Sequence, residues 1–482
     1  MEEKTYLFYD IETSGLNKCF DQVLQFAAIR TDLDFNELEQ HEFWIRLNPD
    51  IIPSPEAMIT HRIPLEELKA GLPEMEAMKK IHVLLNTPGT ISVGYNTLGF
   101  DDEFLRFSFY RNLLSPYTHQ YAMGCGRMDL YPMTIMYYLF CREALEWPFL
   151  NGKLTLRLEH LSALNELTIG QAHNALVDVK ACVALAKKLA AHQSMWNYVT
   201  RYFDKKTDLH RMNGLSPAFP KGDSRVKEAL LMQGKLGVDQ HYQAPVISLG
   251  QHQHYTNQTL WLRLDWPDLK KVTLDNIDEK TFVIRKRLGE PPFLLPTEQK
   301  YLKYLSEKRL ALAHVHKTGL LENPSLFAAI CDYHQHYQYP EVPNVDVDAA
   351  LYLNEFPTSI EENLCREFHQ AELERKNKLI ERFSKNHLRT RALRALGRCN
   401  IRLLTDDQKV EFYDYLEQLK RAETAPVDYQ GKRHLTTSEA LTRLKAIHQN
   451  PLLDDQQRAV LDELERFLLD NFSVGCERNE QI

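Results

Sequence analysis

The sequence predicts an α/β unit followed by a small β-rich unit and a helical carboxy-terminal unit. Three observations carry this: β-favouring runs alternate with helical periodicity over residues 1–195, short β-like runs cluster between 245 and 285, and apolar residues recur at helical spacing from 361 onward. A polar stretch from Tyr202 to Arg225, broken by Gly214, Pro217, Pro220 and Gly222, marks one boundary; another falls near Pro343. The expected division is 1–195, 196–345 and 346–482. At 482 residues the chain is too long for one ordinary core, and 44% apolar with 26% charged residues is the composition of a globular protein.

Taken in order, Thr5 to Tyr9 reads as a first strand running into Asp10-Ile11-Glu12-Thr13-Ser14-Gly15, where Ser14-Gly15 supplies a turn. Residues i and i+2 of a strand share a face, so Asp10 and Glu12 converge while Ile11 points away. Val23 to Arg30 and Glu42 to Leu47 read as the next strands, Glu74 to Leu85 as a helix, and Gly89 to Tyr95 as a buried strand. Asn96 to Glu103 then opens a helix with acids at the joint. Met128 to Cys141 and Leu154 to Leu167 carry helical spacing, and a small-residue loop holding His173 leads into a helix that contains Asp178.

Beyond the boundary, 245–249, 259–264, 271–274 and 280–285 suggest a barrel or SH3-like sheet. Helices are expected over 361–397, 406–421, 439–449 and 455–472. Thr436 with Glu439 and Asp454 with Gln457 have capping spacing.

A net charge of −8 and a pI near 6.2 would ordinarily argue against a nucleic-acid partner. The average hides a basic segment: Arg375 to Arg402 holds ten Lys or Arg against one acid, Glu381. With Phe383 and His387 interleaved, it has the makings of a phosphate-tracking face in which Arg382 and Arg389 are candidate contacts; a solvated helix face is the plain alternative. The eight cysteines are scattered without a C-x-x-C pair, which suggests reduced thiols and neither a zinc site nor a disulfide framework. The first residues show no basic region or apolar signal core, and the longest apolar run, Met133 to Cys141, is too short for a bilayer. A cytoplasmic protein without a membrane partner is expected.

An Asp-x-Glu pair arises by chance about once or twice in a chain this long, so the downstream acids give it weight. Asp10 and Glu12 on strand one, Asp101 after a later strand and Asp178 on a helix, with His173 five residues before the last, resemble the histidine-bearing (DEDDh) subclass of the DEDD 3′→5′ exonuclease superfamily. Within it, Phe26 to Asp32, Gly94-Tyr95-Asn96, Phe100 to Glu103, Arg157 to Leu161 and Asn344 to Tyr352 are similar to the bacterial exonuclease I family. The motif-grade part covers roughly the first 195 residues.

That resemblance implies a ribonuclease-H-like first domain with a mixed sheet and an enzyme that degrades single-stranded DNA from its 3′ end to 5′-mononucleotides. It implies metal ligation by Asp10, Glu12, Asp101 and Asp178, His173 as general base, and sugar or strand contacts near Glu12, Thr13 and Asn96. Its implied partners are single-stranded DNA and the acidic tail of single-stranded DNA-binding protein, with the enzyme a monomer in bacterial DNA repair. Two Mg²⁺ ions, with Mn²⁺ as substitute, suit hard oxygen ligands and a reaction that must activate water and stabilise a leaving oxygen. A helix start favours either Asp101 or Asp102; the family motif aligns Asp101 and leaves Asp102 a cap or supporting partner. An RNA-trimming relative and a non-catalytic DNA-binding scaffold are the alternatives.

Overall fold

The computed structural model describes residues 3–168, 174–219 and 224–472. In the first unit, strand β2 (Val23–Thr31) pairs antiparallel with both β1 (Thr5–Thr13) and β3 (Glu37–Trp44), and β4 (Thr90–Gly94) and β5 (Gly126–Asp129) continue the sheet from β1 in parallel. The order is β3-β2-β1-β4-β5, the mixed sheet expected. Helices α1 (Pro55–His61), α2 (Glu74–Leu85), α3 (Asp101–Arg111), α4 (Leu130–Phe140) and α5 (Ala175–Ala190) accompany it.

The period of two in β1 divides its side chains between two cores. Tyr6 and Phe8 pack with Met133 of α4 and Val179 and Leu185 of α5. Leu7, Tyr9 and Ile11 pack on the other face with Met78 and Ile81 of α2 and Phe104 of α3. Each such buried side chain contributes about 1.5–3 kcal/mol, so the strand's register is strongly held.

Three local expectations shift. β3 begins at Glu37 because its polar residues are tolerated on an edge strand, so the apolar residues locate only its end. Residues 126–129 form β5, and the helix expected from Met128 begins at Leu130, since Asp129 caps it by accepting the N–H of Tyr131. A two-residue hairpin, β6 (Phe149–Leu150) with β7 (Lys153–Leu154), precedes the helix expected from Leu154, which spans Leu158–Asn165.

The second sheet comprises β8 (Glu228–Met232), β9 (Gln243–Gln251), β10 (Gln258–Arg263), β11 (Val283–Arg287) and β12 (Phe293–Leu295). It is antiparallel in the order β11-β10-β9-β8-β12. Lys271 to Leu274 is no strand: a 3-10 turn covers Pro267–Lys271, with Pro267 at its start. Helices α6 (Glu307–Glu322) and α7 (Pro324–His336) close the unit. Leu230, Met232, Phe293 and Leu295 share a core with Tyr137 and Tyr202, so this sheet is fused to the first unit.

The carboxy-terminal unit is helical: α8 (Ser359–Gln370), α9 (Leu373–Ile380), α10 (Asn386–Cys399), α11 (Asp406–Gln418), α12 (Thr437–His448) and α13 (Asp455–Phe472). The single helix expected over 361–397 is three, because Phe368, Ile380, Phe383 and Leu388 all enter one core and a straight rod could not converge them. Both expected caps form, Thr436 with Glu439 as a full capping box and Asp454 with Gln457 at 2.9 and 3.2 Å. α12 and α13 pack against α1. Among the described residues no helix is long and apolar enough to cross a membrane.

The basic segment is largely a fastening. Lys376, Arg391, Arg394 and Arg398 are buried, and Phe383 is a core residue that cannot stack on a base. Arg391 donates to the Tyr110 carbonyl at 2.6 Å, and Arg394 pairs with Asp346 and Asp348. Arg398 bridges Asp50 of the first unit (2.7 Å) and Asp348 (2.6 Å), while the Tyr415 hydroxyl donates to the same Asp50 oxygen. Arg398→Ala would leave two buried carboxylates short of a counter-charge; chemical denaturation should show a loss of about 3–5 kcal/mol.

Candidate active site

The sheet brings the acids together. Asp10 and Glu12, half-buried in β1, lie on the face that α5 covers, and Asp178 stands in the first turn of that helix. The three offer ligand oxygens all within 4.8 Å of one another. The start of α5 is pinned twice: the Asn174 side chain accepts the N–H groups of Leu176 (3.2 Å) and Val177 (3.3 Å), and Gln25 Oε1 accepts that of Ala175 (3.2 Å). Gln25 is the β2 partner of Glu12, so one residue ties the helix to the strand pair that holds the acids.

Asp101 arrives from the other side. It opens α3, and the Ile11 backbone N–H, between the two β1 acids, is among the groups that act on its carboxyl. The approach needs glycine at 94, where a Cβ would lie 2.8 Å from the Tyr9 carbonyl and 2.1 Å from Thr97 Cγ2. Asp129 fixes the intervening turn by accepting the N–H groups of Asn96 (2.8 Å), Leu98 (3.2 Å) and Tyr131 (2.9 Å). Asn96 itself is left-handed, with φ 63°.

Asp102 has a different assignment. It is fully buried, and its oxygens are taken up by Arg106 (2.5 Å), Arg127 (2.6 Å) and His119 (3.0 Å). These partners hold its carboxyl well below the usual range despite burial. Arg127 also reaches Glu290 before β12 at 2.6 Å, so the network joins the second unit to the helix that carries Asp101. Asp102 is thus already neutralised by its own cationic partners.

The cluster is electrostatically crowded. Burial first, then Asp101, Glu12 and Asp178, raise Asp10 well above the ordinary range. Burial followed by Asp178 and Asp101 does the same to Glu12. Asp101 is pushed up to about 8 and Asp129 to about 6, in both cases mainly by burial. The strongest charges acting on Asp10 and Glu12 are other carboxylates. A compact, all-oxygen donor set in mutual repulsion fits a hard divalent cation.

Of the other expected residues, Thr13 is buried with its hydroxyl donating to the Gly15 carbonyl at 2.8 Å. Arg382 pairs with Glu367, and Arg389 with Glu381 and Glu411 on the helical unit's surface. His173 lies outside the described residues. Asp129, Asn174, Gln25 and Arg127 were not singled out by sequence. Asp129 and Asn174 stand directly before helices, a capping signal, whereas Gln25 and Arg127 act through pairings no local pattern announces.

Residues 7–186 match the model of the Exonuclease family. Exodeoxyribonuclease I of Escherichia coli K12 is 30% identical over 295 residues, 60% of either chain, and that of Haemophilus influenzae is 36% identical over 196 residues, 40% of this chain and 41% of the relative. Over these stretches the chain is similar to bacterial exonuclease I. The aligned stretches span less than two thirds of these relatives' length. Among solved structures, exonuclease I from Methylocaldum szegediense has a TM-score of 0.81 at 24% identity, covering 98% of this chain and 100% of that one. E. coli exonuclease I in complex with a dA16 oligonucleotide has 0.84 at 23%, covering 97% and 100%. The exonuclease I fold therefore extends through all three units.

The raised carboxyls set a sign for pH. Between the ordinary carboxyl range and about 8, the folded cluster keeps protons that the unfolded chain has lost, so stability without cations falls as pH rises. Asp102, Asp50 and Asp348 are depressed and act only at acid pH; the buried His82 and His369, held down to about 4, act below about pH 7. In EDTA, Tm should therefore drop from pH 7 to 8.5, and Mg²⁺ should raise it more at the higher pH. Thermal denaturation of the native protein and Asp101→Asn tests this; the variant should show a smaller drop.

Proposed function

We propose that this protein is an exonuclease that removes 5′-mononucleotides stepwise from the 3′ end of single-stranded DNA. The observation that carries the reading is the convergence of Asp10, Glu12 and Asp178 within 4.8 Å, with Asp101 near enough to be the strongest charge acting on Asp10. These four would hold two Mg²⁺ ions, for which Mn²⁺ can substitute. When bound, the ions would supply acidification of the attacking water and charge stabilisation at the leaving 3′-oxygen.

The chain's own groups do the rest. His173, directly before the capping Asn174, accepts the water's proton; a neutral imidazole at physiological pH suits that role. Thr13 and Asn96 are the candidates for holding the terminal nucleotide, Thr13 through its backbone since its hydroxyl is engaged in the turn. The β-rich unit, 196–345, and the helical unit, 346–482, both share cores with the nuclease unit, 1–195, which supports a site approached by a single strand. Exonuclease I resemblance adds a monomeric enzyme of bacterial DNA repair that meets the acidic tail of single-stranded DNA-binding protein.

The test is digestion of 5′-labelled and 3′-labelled oligonucleotides, single-stranded and duplex, DNA and RNA, with Mg²⁺ or EDTA. The expected result is Mg²⁺-dependent shortening of single-stranded DNA from the 3′ end. Asp10→Ala should abolish turnover while DNA binding, read by fluorescence anisotropy, survives; His173→Ala should slow the reaction by about 10²–10⁴-fold. Preference for RNA, 5′ polarity, or unchanged rates in both variants would overturn the reading.

A further inference from the structure

A second group of ligating side chains lies where two helices end. Cys141, Glu143 and His192 offer ligand atoms all within 4.8 Å of one another, and the Cys141 thiol donates to Glu143 Oε1 at 3.2 Å. Cys141 is the residue after α4, its N–H bonded to the Tyr137 carbonyl at 2.8 Å. His192 follows the end of α5 and is held on both sides: its N–H donates to the Leu189 carbonyl (3.1 Å), and its carbonyl accepts the N–H of Trp196 (3.0 Å).

The frame beneath is rigid. The buried Tyr137 hydroxyl donates to the Leu189 carbonyl at 2.7 Å, clamping the two helix ends together, and the Tyr137 and His192 rings meet edge to face at 6.4 Å. Helix C-termini carry partial negative charge, so two of them converging favour a cation. Burial and the Glu143 carboxylate push the Cys141 thiol up to about 11, the direction a neighbouring cation would reverse. Glu143 is exposed, which leaves the group open to solvent.

We infer that Cys141, Glu143 and His192 form a metal site, chemically distinct from the carboxylate cluster, that takes an ion of the Zn²⁺ class. Sulfur, nitrogen and oxygen donors together suit a borderline-soft ion and are foreign to Mg²⁺. A thiolate and a carboxylate balance a divalent charge, and three protein ligands leave a fourth position for water. Filling the site fastens the end of α5, whose first turn holds Asp178, to the end of α4, whose start Asp129 caps.

Cobalt(II) is the probe. Titrated into Asp10→Ala protein in excess Mg²⁺, it should give a near-ultraviolet thiolate-to-cobalt charge-transfer band that Zn²⁺ abolishes. Cys141→Ser should lose the band, and His192→Gln or the surface variant Glu143→Gln should weaken Co²⁺ binding by at least about tenfold. Zn²⁺ should raise the Tm of the parent protein but not of Cys141→Ser. Absence of a thiolate band, its persistence in Cys141→Ser, or unchanged affinity in Glu143→Gln would overturn the site; the last decides the matter even if the buried variant fails to fold.

Discussion

The alternation of side chains along β1 is the constraint on which the rest depends. Tyr6 and Phe8 commit one face to α4 and α5, while Leu7, Tyr9 and Ile11 commit the other to α2 and α3. A slip of one residue would exchange the two sets, so packing energy over the whole strand fixes where Asp10 and Glu12 emerge. The same packing brings α5, and with it Asp178, over the face that carries the acids. Core and site are consequences of one register.

The protein treats its buried acids in two ways. Asp102 is matched by Arg106 and Arg127, and Asp50 and Asp348 by Arg398, so each remains ionised, while Arg398 to Asp50 and Arg127 to Glu290 carry these networks from one unit to another. Asp10 and Glu12 instead have other carboxylates as their strongest neighbours, which makes ionisation costly until an external cation arrives. The contrast between Asp101 and Asp102 is the sharpest instance: adjacent in sequence, one faces the cluster and the other is neutralised by arginines.

The sequence made the amino-terminal unit legible because its signals are local. Period two in β1, the small-residue turns before Asp101 and Asp178, and the capping spacing at Thr436 and Asp454 all depend on neighbours a few residues away. What stayed hidden depends on distant partners. The arginines between 375 and 402 look like a uniform basic helix until Asp50, Asp346 and Asp348 claim two of them, Arg394 and Arg398, and Phe383 turns inward. Strands β8 and β12 are short and apolar and β5, Gly126 to Asp129, is short and without alternation, so only pairing across the sheet distinguishes them from helix or loop. Gln25 gains its role from lying opposite Glu12 in β2.

The most direct measurement of the central claim is calorimetric titration of Mn²⁺ into metal-free protein near neutral pH, repeated in buffers of different ionisation enthalpy. Because the crowded carboxyls hold protons that a cation displaces, binding should release protons, and Asp178→Asn should weaken it severely. Binding without proton release, or binding that Asp178→Asn leaves unchanged, would contradict the assignment of this cluster as a cation site.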